Sequence, residues 1–106
     1  MAWFALLLAG LFEVGWSFAM KQSQGFTQII PTFLTLILML VSFGLLAFSM
    51  KTLPLGTAYT IWTGIGAIGA VVIGVMFLGE QLNAVRVMAV MLIVSGLVLM
   101  KLAAPE

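Results

Sequence analysis

Glu13 is the only charged side chain among residues 1–20 of this 106-residue chain, and it stands in an otherwise apolar run. On a helix, Gly10 at i−3, Trp16 at i+3 and Ser17 at i+4 share its face. Gly10 leaves room beside the carboxylate, Ser17 offers a hydroxyl, and Trp16 brings an indole N–H and a flat π surface. A second group lies further along. Tyr59, Trp62, Thr63 and Gly66 form one helical stripe, and aromatic faces of this kind hold cations by cation–π attraction. One acid, aromatic faces, hydroxyls and no cation within the same runs describe a site for a positively charged ligand. Such an acid must lose its proton to bind that ligand, so proton and cation compete for one carboxylate. The alternative is a protonated structural glutamic acid that is hydrogen-bonded to a neighbouring helix.

Three further groups carry weaker signals. Gly64, Gly66 and Gly69 soften the helix as a hinge, or simply let another backbone approach closely. Ser42, with Phe43 beside it, either serves the site or bonds the carbonyl four residues back. Ala89 and Gly96, seven residues apart with Ser95 adjacent, suit a tight helix–helix seam between two copies.

The elements that position these residues follow from composition. Hydrophobic residues make up 64% of the chain and charged residues 7%, against about 25% charged in soluble domains. So few charges cannot cover a water-facing surface, and the chain reads as an integral membrane protein. With no Cys, no His and three carboxylates, neither a disulfide nor a metal centre is expected. No cofactor is expected, and a net charge of +1 offers nothing to nucleic acid. No nucleophile–base pair or phosphate loop suggests an enzyme. The first run does not read as a cleaved leader: no Lys or Arg precedes it and Glu13 interrupts it.

A hydrocarbon core about 30 Å thick needs roughly 20 helical residues. Four runs supply them, at about 2–20, 29–50, 55–78 and 84–102, in a single domain over 1–106. Lys21 to Gln28 forms a polar connection, Pro31 opens the second span, and Pro54 precedes the third. Arg86 can snorkel to the interface. The runs are continuous rather than alternating, which excludes β-barrel strands. Short connections make neighbouring helices antiparallel. Lys51 and Lys101 lie at one side of the bilayer, Lys21 and Arg86 at the other, so the positive-inside rule favours neither orientation. Either the first helix resolves a weak bias, or the chain inserts both ways and two copies pair antiparallel about an axis in the membrane plane.

Taken together, "AGLFEVGW" around Glu13, "GFTQIIPT", "PLGTAYTIWTGIGAIGAVVIG" and "LGEQLNAVRV" resemble the small multidrug resistance family of four-helix proton-coupled exporters over essentially the whole chain. Trp16 and "WTGIGAIGA" look like its guanidinium exporter subtype. The resemblance implies an all-α, dual-topology antiparallel homodimer in the bacterial inner membrane. Its paired Glu13 carboxylates would bind protons or a guanidyl cation, and planar guanidinium matches a carboxylate as a bidentate fork. Trp16, Ser42 and Trp62 would enclose the pair, with Trp16 and Ser42 donating hydrogen bonds. Tyr59 would touch the carboxylate, Gly10 would line the site, and Gly64 to Gly69 would let the third helix bend differently in the two copies. Lys101 matches a terminal basic residue of the subtype. Hydrophobic substituents would leave through a gap near Phe43 and Leu46. Thr60 and Ser17 stand where alanine is usual, which hints at guanylurea or a substituted guanidinium. A quaternary-ammonium exporter, a passive ion channel and an accessory subunit are the rival readings, and Trp16 argues against the first.

Overall fold

The computed structural model describes residues 1–103. Four helices account for most of them: α1 (Ala2–Gln22), α2 (Ile29–Ser49), α3 (Leu55–Phe77) and α4 (Ala84–Ala103). Each is long and apolar enough to cross a bilayer, and there is no strand among the described residues. The fold is therefore an all-α membrane architecture.

The breaks between helices have local causes. α1 runs two residues past the apolar stretch, through Lys21 and Gln22, so the polar connection begins at Ser23. The Ser23 hydroxyl donates to Met20 O at 2.6 Å and accepts from the Phe26 N–H at 3.0 Å. Gln24, Gly25 and Phe26 then take positive φ in succession, which no helix continues through. Pro31 sits in the first turn of α2, where its missing N–H costs nothing. Pro54 caps α3 in extended conformation. Gly79, at φ +69, reverses the chain after α3 so that the Glu80 N–H bonds back to Gly74 O at 3.0 Å. That return bond spans seven residues, one more than a six-to-one helix-end bond, and it turns on glycine at the left-handed position.

Lipid tails are as apolar as leucine, so helices in a bilayer associate through small residues and satisfied polar groups. α1 and α2 do this. Ala5 and Ala9 are buried on α1, Thr35, Ser42 and Ser49 on α2 are seven residues apart and each 0% exposed, and Ser42 bonds Ala9 O between the two helices. Thr35 and Ser49 return their hydroxyl protons to their own helix, at Pro31 O and Leu46 O. α1 also packs along α3, whereas α4 packs along α3, meets α1 through Lys101 at its end, and has no buried residue. The result is a slab of 43 × 34 × 16 Å. Its thin dimension is little more than one helix diameter, so one copy cannot surround a site at mid-depth.

Candidate functional site

The site lies where α1 crosses α3. Glu13, twelve residues into a 21-residue helix, is near the bilayer midplane. Its carboxylate lies directly on Gly66 of α3, where any Cβ would overlap it. One turn toward the N-terminus, Gly10 faces Ile65 in the same way, with 2.6 Å from an added Cβ to Ile65 Cγ2. One residue beyond Glu13, Val14 lies on Gly69. The glycines of α3 thus serve close approach in this conformation, and α3 is a continuous helix from Leu55 to Phe77. Gly64 does the same on the other flank, where an added Cβ would sit 2.5 Å from Leu97 of α4.

Two polar pairs sit at this depth with opposite outcomes. The Trp62 indole N–H donates to Ser42 Oγ at 2.9 Å, and that hydroxyl donates its own proton to Ala9 O at 2.7 Å. The network ties α3 to α2 and α2 to α1, and it consumes the proton that Ser42 was expected to give to Glu13. By contrast, Glu13 Oε1 and Trp16 Nε1 are both buried atoms with no hydrogen-bond partner. Unpaired buried polar atoms are rare and costly, so each asks for a ligand, ion or water. Here an acceptor and a donor wait on one turn of one helix.

An aromatic chain borders them. Trp16 meets Phe43 edge-on at 6.3 Å between centroids, Phe43 meets Trp62 at 5.7 Å, and Trp62 meets Tyr59 at 5.6 Å. Phe43 is the link between the two tryptophans. The sequence places it beside Ser42 and near an exit gap, and nothing in the order of residues shows that α2 delivers it between α1 and α3. Of the two readings open for Gly66, hinge or close approach, this conformation shows close approach, and its place on the stripe of Tyr59 and Trp62 is the sign in the sequence that it faces the acid.

Other expected residues fall elsewhere. Tyr59 and Thr63, with Thr60, Gly64 and Gly96, line a groove of about 670 Å³ between α3 and α4. Tyr59 joins the aromatic chain at Trp62. Ala89 and Gly96 are exposed on α4, and Gly96 has no atom within 4 Å of an added Cβ. Lys101 Nζ stands 4.2 Å over the Trp3 ring, fastening the end of α4 to the start of α1. The Ser17 hydroxyl donates to Val14 O at 2.8 Å. No group of three or more potential metal ligands occurs among the described residues.

Comparison with known proteins gives this arrangement a relationship. A sequence model of the family described as Small Multidrug Resistance protein matches residues 1–93. The chain is similar to a guanidinium exporter of Salmonella typhimurium, 47% identical over 104 residues that cover 98% of this chain and 99% of the relative. It is equally similar to a guanidinium exporter of Yersinia pseudotuberculosis, 47% identical over 97% of this chain and 99% of that relative. One from Citrobacter freundii is 46% identical over 97% and 98%. With four spanning helices and a match over nearly its whole length, the chain belongs to the small multidrug resistance family, transporters rather than enzymes, and is a multi-pass protein of the bacterial inner membrane.

Proposed function

We propose that two copies of this chain pair antiparallel and export guanidyl cations in exchange for protons, with both cargoes using the two Glu13 carboxylates. The observation that carries this reading is the unpartnered, buried Glu13 oxygen beside the unpartnered Trp16 N–H at mid-membrane. An ionised side chain at that depth costs roughly 2.5–3.5 kcal/mol on insertion scales. A proton removes the charge. A guanidinium neutralises it and returns two parallel N–H···O bonds, which a quaternary ammonium cannot do. The relatives named guanidinium exporters support the same substrate class.

The dimer is supported by the 16 Å slab, by α4 with no buried residue, and by the balance of Lys51 and Lys101 against Lys21 and Arg86. A second, inverted copy laid on the open face would enclose the acid and give each side of the membrane an equivalent opening. Exchange then needs only that the two copies swap shapes, and coupling follows because one carboxylate pair cannot hold proton and cation together. Thr60 and Thr63, facing the α3–α4 groove, add hydroxyls that suit guanylurea or a substituted guanidinium.

The test is electrical. Purified protein in liposomes on a solid-supported membrane is perfused with guanidinium, guanylurea and tetrapropylammonium, beside Glu13→Gln. Guanidyl currents that vanish in the variant are expected. Strong tetrapropylammonium currents with little guanidyl response would move the protein to multidrug export. Equal currents in both proteins would make it a passive conductor.

A further inference from the structure

A small cavity of about 150 Å³ opens at the far end of the α1–α3 crevice, lined by Ser17, Phe18, Lys21, Ala70, Ile73, Leu78 and Glu80. Its place is set by two helices in step. On α1, Glu13, Ser17 and Lys21 follow at four-residue spacing along one face. On α3, Glu13 lies on Gly66 and Glu80 lies on Gly74, eight residues on. Both helices therefore put the charged mouth about 12 Å from the acid at 1.5 Å per residue.

Glu80 is held there from three directions. The return of the chain after α3 anchors its N–H to Gly74 O. Gly74 has no side chain to push the carboxylate away. Arg86 of α4 pairs with Glu80 Oε1 at 3.2 Å while its other nitrogen donates to Gln81 O at 2.7 Å. Lys21 of α1 faces it across the cavity. A buried water needs roughly 10–15 Å³ of such space and two to four polar partners. The cavity has room for several waters. Lys21 supplies donors, Glu80 acceptors, and the Ser17 oxygen keeps its lone pairs because its proton is committed to Val14 O.

The opposite flank of α3 differs in both size and polarity. The α3–α4 groove holds about 670 Å³ and presents Ile93, Leu97, Leu99 and Met100 beside Tyr59 and the two threonines. It suits an organic cation. The smaller cavity has the cation Lys21 in its lining and its one anion, Glu80, already paired with Arg86, which opposes entry of a guanidyl cation but not of water.

We propose that the Ser17–Lys21–Glu80 cavity is a water-filled port through which Glu13 exchanges protons, and that Glu80 is the positioning residue that keeps it hydrated and balanced in charge. The proposal rests on proton-coupled export through Glu13. In this conformation Val14 on Gly69 closes the turn between port and acid, so the port connects only when α1 and α3 separate there. Lys21 on α1 and Glu80 in the α3–α4 connection are the charged groups lining it, and Arg86 on α4 pairs with Glu80.

Two measurements test this. The chain has no cysteine, so Ser17→Cys is a lone thiol that reports water directly, whatever is transported. A small anionic thiosulfonate should modify it in vesicles, while Leu11→Cys on the exposed face of α1 stays unmodified. An unreactive Ser17→Cys would mean a dry cavity and would overturn the port. The second measurement compares proton-coupled guanidinium flux, read by an internal pH dye, with guanidinium self-exchange, which moves no net proton. In Glu80→Gln the coupled flux should fall about tenfold, the effect of one unit charge at about 12 Å in a medium of effective dielectric near 20, with self-exchange unchanged. Equal losses in both fluxes would make Glu80 merely structural, and no loss in either would also overturn the proposal. Absence of guanidinium self-exchange in the wild type would instead sink the export reading itself, with the thiol result still standing as a test of the cavity.

Discussion

The two polar pairs at mid-membrane, Ser42–Trp62 and Glu13–Trp16, are built from similar parts and end in different states. Ser42 accepts from Trp62 and donates to Ala9 O, so one hydroxyl joins three helices with its proton spent. Glu13 and Trp16 each keep a buried atom unpaired. In a bilayer no water is at hand to complete a bond. A finished network therefore specifies packing, and an unfinished one has capacity left for cargo. The difference separates scaffold from site more sharply than residue type does, since both pairs contain a tryptophan.

That contrast can be broken in order of effect. Glu13→Gln should abolish proton-coupled guanidyl transport in liposome currents while leaving detergent-unfolding stability equal or slightly higher, because a charge leaves the midplane. Loss of folding instead would place Glu13 in the scaffold. Gly66→Ala comes next. The added methyl takes the place where the Glu13 carboxylate lies, and a displacement of about 1 Å can cost on the order of a hundredfold in rate. Unaltered transport would mean that the contact is incidental.

The proposed competition between proton and cation predicts a pH dependence. Where the Glu13 carboxylates of the proposed dimer begin to take up protons, lowering the pH should weaken guanidyl binding by up to about tenfold per unit for each proton displaced, as read by calorimetric titration. Binding that ignores pH would remove the competition. Ser42→Ala strips both partners of the finished network and should lower unfolding stability by about 1 kcal/mol. Trp16→Phe is the smallest change and the most discriminating. Its N–H has no partner to lose, so stability should hold within about 0.5 kcal/mol, while guanidyl binding weakens roughly three- to tenfold. Lost stability with intact binding would reverse the roles assigned to the two pairs.

Much of this was legible in the chain. Continuous apolar runs and two prolines, Pro31 and Pro54, mark the helix positions, because the length of a spanning helix is dictated by bilayer thickness. A lone acid near the middle of the first run announces itself by its cost. The stripe of Thr35, Ser42 and Ser49 was also there to be read at seven-residue spacing, and it reports the α1–α2 contact. Less accessible was the fate of each polar proton. Ser42 could have bonded its own helix, as Thr35 and Ser49 do, and only the depth at which α1 brings Ala9 O decides otherwise.

By itself, then, the sequence determined that the chain lives in a bilayer, where it turns, and which side chain is too expensive at mid-depth to be idle. Those properties depend on hydrophobicity, helix length and backbone restriction, all of which are local. The tertiary structure alone decided that Glu13 rests on Gly66, that Phe43 stands between two tryptophans, that Glu80 returns over Gly74 toward Lys21, and that α4 is left uncovered. Each of these depends on rotation and depth of one helix against another. Those quantities are set by how small residues let backbones approach, and no spacing along a single helix encodes them.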